Sequence, residues 1–82
     1  MYQKYVGRYK GTVAEIIISV KGENLYGQII GRNGQIKLIP KGNHTFLVNG
    51  EKERIQFVFN KKNEVVKLIG LDSPMDLEKQ NK

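Results

Sequence analysis

Residues 14–21, AEIIISVK, alternate strictly, with Ala14, Ile16, Ile18 and Val20 on one side and Glu15, Ile17, Ser19 and Lys21 on the other. Successive side chains leave a pleated backbone on opposite sides, so a period of two marks a strand with one buried face. Short apolar runs of the same kind follow at residues 25–30 (LYGQII), 36–41 (IKLIPK), 44–48 (HTFLV), 54–59 (RIQFVF) and 64–71 (EVVKLIGL). Clusters of Gly and Asn separate them. Strands at roughly eight-to-twelve-residue spacing predict an all-β sandwich or barrel. No segment longer than a few residues favours a helix.

One loop argues superficially for a different fold. Residues 29–37, IIGRNGQIK, carry a Gly-x-x-Gly step followed by an Ile-Lys pair, which resembles the RNA-gripping loop of a KH domain. That loop joins two helices and places its isoleucine three residues after the second glycine, whereas Ile36 follows Gly34 by two. The flanking residues are β-branched with period two. Arg32-Asn33-Gly34-Gln35 is therefore expected to be a hairpin turn, with Asn33-Gly34 in the positive φ of a type I′ turn. Asn49-Gly50 predicts a second hairpin, and residues 60–63 (NKKN) a polar turn.

The 82 residues suffice for one domain, expected over 1–82 with its core from about 5 to 71 and residues 72–82 as a last short strand or a frayed tail. Cysteine is absent and His44 is the sole histidine, so neither disulfides nor a Cys/His zinc site can replace a hydrophobic core. Apolar runs such as Ile16-Ile17-Ile18 are far too short for a transmembrane helix. The N-terminal MYQKYVGRYKG has charges where a signal peptide needs an uninterrupted apolar stretch. The formal net charge of +6 could attract phosphates, but the lysines and arginines are spread through nearly every segment. Such a spread fits solubility and protection of strand edges better than a nucleic-acid stripe.

Gly7 lies between Tyr5 and Tyr9. A glycine inside a strand points to close approach or sharp coiling of the sheet, with neighbouring rings covering its bare backbone. The order Tyr5-x-Gly7-x-Tyr9, the alternating strand, Leu25, Leu38-x-Pro40, Phe46, Ile55-x-Phe57 and Val66-x-Leu68 resembles a C-terminal domain of unknown function. That domain is found on bacterial and archaeal β-lactamase-like serine hydrolases and relatives of penicillin-binding proteins. The resemblance spans Tyr5 to about Leu71. It implies a small, lipocalin-like, antiparallel up-and-down β-barrel of about eight strands, an accessory to a catalytic domain in cis, exported if it is part of a larger bacterial hydrolase. Asp72-Ser73-Pro74 departs from the pattern and leaves the closing strand pair as its weakest part.

The chemistry of the partner domain is not in this sequence. Its Ser-x-x-Lys motif has no counterpart, since Gly22 lies three residues after Ser19 and Asp76 three after Ser73. Glu51 and Glu53 could share a face as an acid/base pair, but beside Asn49-Gly50 they read as a solvated hairpin. The expectation is no catalytic residue, no metal ligand, no cofactor and no enzymatic activity. Ile18, Leu25, Leu38, Phe46, Phe57 and Leu68 are expected to fill the interior. A shallow cup at one mouth, bordered by Tyr9, Tyr26 and Arg54, is the candidate ligand site.

The leading expectation is thus an interaction module for a hydrolase domain or another protein. The alternatives are a nucleic-acid-binding barrel of the OB type, which the inward phenylalanines disfavour, and a carrier of a small apolar molecule. Edges near Pro40 or at the last strand would let two copies pair as a homodimer.

Overall fold

The computed structural model describes residues 2–50, 52–72 and 74–80. Glu51 and Ser73, considered above, lie outside the described residues, as do Met1, Asn81 and Lys82. Among the described residues, a 3-10 turn (Gln3–Tyr5) precedes eight strands: β1 (Gly7–Lys10), β2 (Glu15–Lys21), β3 (Asn24–Ile29), β4 (Ile36–Gly42), β5 (Thr45–Val48), β6 (Arg54–Phe59), β7 (Val65–Gly70) and β8 (Asp76–Lys79). Each strand pairs with its sequence neighbours, and β8 pairs with β1, so the sheet closes into an antiparallel up-and-down barrel. This meander order differs from the Greek key of an OB fold. Two neighbours for every described strand also remove the free edges on which pairing of copies was expected.

Alternation carries through to packing. In β2, Ile16 and Ile18 turn inward and pair with Ile29 and Gly27 of β3. All six residues expected to fill the barrel, Ile18, Leu25, Leu38, Phe46, Phe57 and Leu68, are buried, and Tyr9, Ile55 and Val65 join them. Residues 72–82, expected as a last short strand or a frayed tail, include the short strand β8. Leu77 of β8 is fully buried opposite Leu68, and Met75 packs against the core, so residues beyond Leu71 complete the barrel.

Several local expectations are corrected. Tyr5 belongs to the 3-10 turn and not to a strand shared with Tyr9. Gly7 takes φ +153°, and the aliphatic stem of Lys79 covers it in place of an aromatic ring, with Cε 2.9 Å from where a Cβ would stand. The β3–β4 hairpin exists, but its connection spans residues 30–35, with positive φ at Gly31 and Gly34 and not at Asn33. The six-residue span relaxes the demand that a two-residue loop would place on Asn33. Positive φ at both central residues, as type I′ requires, occurs at Asn43 (56°) and His44 (60°), so His44 lies in the β4–β5 turn and not in a strand. Asn60 shapes the β6–β7 turn by accepting through Oδ1 from the amides of Lys62 and Glu64.

Closure brings β1 and β8 so near that a Cβ on Gly11 would stand 2.6 Å from the Asp76 carbonyl oxygen and 2.8 Å from Leu77 Cδ2. Backbone cannot yield cheaply. At Gly27 the nearest atoms, from Ile18, Ile16 and Leu38, lie at 3.5–3.8 Å, and its φ suits any residue. Gly11→Ala is therefore expected to destabilise by about 1–3 kcal/mol, and Gly27→Ala to stabilise by about 0.5–1 kcal/mol. Urea unfolding of both variants checks the contrast; equal effects would show that β8 does not press on β1 at this point.

Candidate functional site

The up-and-down order sends alternate connections to opposite ends. The 3-10 turn and the connections β2–β3, β4–β5 and β6–β7 gather at one end, and those after β1, β3, β5 and β7 gather at the other. The two ends have opposite characters.

The first end is plugged with rings. Tyr5 packs against Phe57 at 4.4 Å between centroids and meets Phe46 edge-on at 5.4 Å, while Tyr2 meets Phe46 edge-on at 5.7 Å. Edge-to-face geometry sets the positive rim of one ring on the negative face of the next. The buried Tyr9 hydroxyl donates to the Tyr5 carbonyl at 2.7 Å, which ties the 3-10 turn to β1. The Tyr5 hydroxyl shares a 2.8 Å hydrogen bond with His44 Nδ1, and the imidazole packs against Phe59 in a tilted arrangement, 4.2 Å between centroids. Lys4 Nζ lies 5.2 Å from the centroid of Phe59 and 5.6 Å from that of Tyr5.

The second end is open. A cleft of about 130 Å³ enters the barrel there, walled by Ile16, Ile18, Ile29, Ile36, Leu38 and Val48. Its origin is Gly27, an inward-facing position between Leu25 and Ile29 that has no side chain to fill the space. Arg32, Glu53 and Arg54 form the charged part of the rim. The Arg54 guanidinium is paired. It clasps Asp72 through Nε (3.1 Å) and Nη2 (2.9 Å), and the Arg54 amide donates to the same carboxylate at 2.7 Å. This side-chain hydrogen bonding, chiefly from the guanidinium, holds the Asp72 carboxyl below its usual range. Arg32 has no ion-pair partner among the described residues. The large apolar side chains left exposed among the described residues are Val13 (69%), Ile30 (48%) and Leu71 (39%), and all three sit on connections at this open end.

The expected ligand trio does not converge. Tyr9 is fully buried, with its hydroxyl committed to Tyr5. Tyr26 lies on the outer face of β3, opposite in direction to Leu25, with Lys21 Nζ 5.8 Å from its ring centroid. Of the three, Arg54 borders the cleft. Sequence reasoning passed over Arg32, Gly27, Val13, Ile30 and Leu71. The signals were available: a glycine in the inward register of residues 25, 27 and 29, and Ile30 breaking alternation after Ile29.

Among the described residues there is no group of three or more His, Asp or Glu side chains placed to hold a metal, and no helix is long and apolar enough to cross a membrane. No protein-family model matches the chain, and no curated protein does.

Burial, with Tyr5 adding to it, pushes the Tyr9 phenol far above the usual tyrosine range, and burial followed by Tyr2 raises Tyr5. Each group holds its proton more tightly in the folded chain than in the unfolded one. That contribution is fully present below the unfolded tyrosine value, about 10, and is lost as pH rises through it toward the folded one. Thermal stability is expected to fall above about pH 10, and less steeply in Tyr9→Phe, which at neutral pH loses about 1–2 kcal/mol with the bond to Tyr5. Thermal melts across alkaline pH check this; parallel profiles for both proteins would contradict it.

Proposed function

We propose that this chain is a non-enzymatic accessory or interaction module that engages a protein partner through the open end of its barrel. The observation that carries the reading is that Val13, Ile30 and Leu71 are exposed on connections at the same barrel end as the apolar cleft. Scattered exposed apolar residues need no explanation, but apolar residues left exposed at the end that also carries an apolar depression have the character of a docking surface. The resemblance to a domain appended to β-lactamase-like serine hydrolases supports a catalytic domain in cis as that partner. Absence of a Ser-x-x-Lys motif supports a role other than hydrolysis for this chain. Carriage of a small apolar molecule is the weaker reading, because ligand pockets are typically about 300–1,000 Å³ and this cleft is much smaller. An OB-type role is weaker still, since the phenylalanines point inward or pack in the plug.

A selection from a random-peptide library tests the proposal, run on the parent chain and on a variant with Val13→Thr, Ile30→Thr and Leu71→Thr. The parent is expected to enrich peptides with apolar residues, and the variant to lose them while keeping its melting temperature, because exposed substitutions shift stability by only about 0.5 kcal/mol each. The same peptides from both proteins, or turnover of ester, peptide or β-lactam substrates by the purified chain, would contradict it.

A further inference from the structure

We infer that the open end receives the carboxy-terminal residue of a polypeptide, its apolar side chain entering the cleft and its α-carboxylate resting on Arg32. This rests on the reading of the open end as an interaction site and names the chemistry of what it takes.

Size sets the first condition. An apolar cavity of about 150 Å³ holds one benzene molecule, so a cleft of about 130 Å³ takes one aliphatic or aromatic side chain and no more. The second condition is the character of the walls. Ile16, Ile29, Ile36 and Val48 offer no hydrogen-bonding side-chain group, so the occupant's buried part must be apolar. Charge sets the third. Asp72 neutralises Arg54 at the rim, and Glu15 pairs with Arg8 at 3.1 Å on the barrel wall, whereas Arg32 borders the cleft and is in no ion pair among the described residues. Glu53, also on the rim, is engaged in an interaction of its own. An unpaired guanidinium beside an apolar hole selects a carboxylate attached to an apolar group.

A chain terminus meets all three conditions at once, because its side chain and carboxylate leave the same Cα and so reach hole and rim together. A free small acid would satisfy the cleft and Arg32 but would leave Val13, Ile30 and Leu71 uncovered. Residues preceding the terminus can lie across them. Gly31 and Gly34, at φ +96° and +84°, give the connection carrying Arg32 a backbone path that other residues rarely follow, and Arg32 on that path lines the cleft.

The test is a 15N NMR titration of the chain with acetyl-Gly-Ser-Gly-Val-Leu bearing a free carboxylate, the same peptide as its C-terminal amide, and 4-methylpentanoate. Shifts are expected at Gly27, Arg32 and Ile36, with the amide binding roughly tenfold more weakly than the acid, as loss of a charge-assisted bidentate pair implies. Arg32→Gln is expected to make acid and amide equal. Glu53→Gln is expected to strengthen the acid, and Gly27→Val to weaken both peptides by filling the cleft. The exposed position of Arg32 makes that variant safe for folding, and its spectrum verifies this. Equal binding of acid and amide to the parent would overturn the carboxylate role while leaving the interaction module standing. Binding of 4-methylpentanoate as tight as the peptide acid would overturn the polypeptide source. Peptide shifts absent from the open end would overturn this inference and the reading beneath it.

Discussion

The rest of the molecule depends on the junction of its first and last strands. Tyr9 opposite Lys79 and Lys10 opposite Glu78 convert a seven-hairpin meander into a closed barrel. A small sheet left open would present two unpaired edges and expose the apolar face that Leu77, Leu68 and Tyr9 bury together. Bare backbone makes the junction feasible. Gly11 admits the Asp76 carbonyl, and Gly7 admits the stem of Lys79 at a φ that other residues seldom adopt. The bond from the Gln80 amide to the Arg8 carbonyl, at 2.8 Å, extends the seam beyond the last strand.

Closure divides the chain's chemistry between two ends. Aromatic residues far apart in sequence, Tyr2, Tyr5, Phe46, Phe57 and Phe59, meet where the N-terminal 3-10 turn folds over the barrel, and their rings pack on one another there. At the opposite end no such turn is found among the described residues, and Gly27 withholds one side chain from the inward ring. The result is a cylinder with a shallow cleft at one end, where exposed apolar loop residues and Arg32 also lie. On the proposed reading, stability and recognition fall to different residues. Substitutions on the open-end loops leave the ring contacts of the plug in place.

Much of this was legible in the alternation of side chains. Residues 54–59 were expected as a strand and form one with those bounds, and all six expected interior residues are inside. Local pattern suffices there because the pleat itself assigns faces. It fails where a distant partner decides the outcome. The cover on Gly7 comes from Lys79, more than seventy residues away, and the turn chemistry expected at Asn33-Gly34 is realised at Asn43-His44 because the two connections differ in length. Strand β8 is four residues long and follows the turn-like Asp72-Ser73-Pro74, so its burial comes from closure and not from an obvious apolar run. The candidate site was less legible than the fold. Face alternation already set Tyr26 outward from Leu25, but which end of the barrel each aromatic would occupy required strand order, and strand order also revealed that Arg54 was bound to Asp72.

Hydrogen exchange at the Gln80 amide probes the closing seam most directly, since that group donates across it and has no other role. The expected result is exchange slowed to the same class as amides of the central β6–β7 pair, which the whole barrel must open to release. Exchange as fast as in an unstructured chain, with β6 and β7 still protected, would mean that the sheet stands open and that the division into a plugged end and a receptive end does not hold.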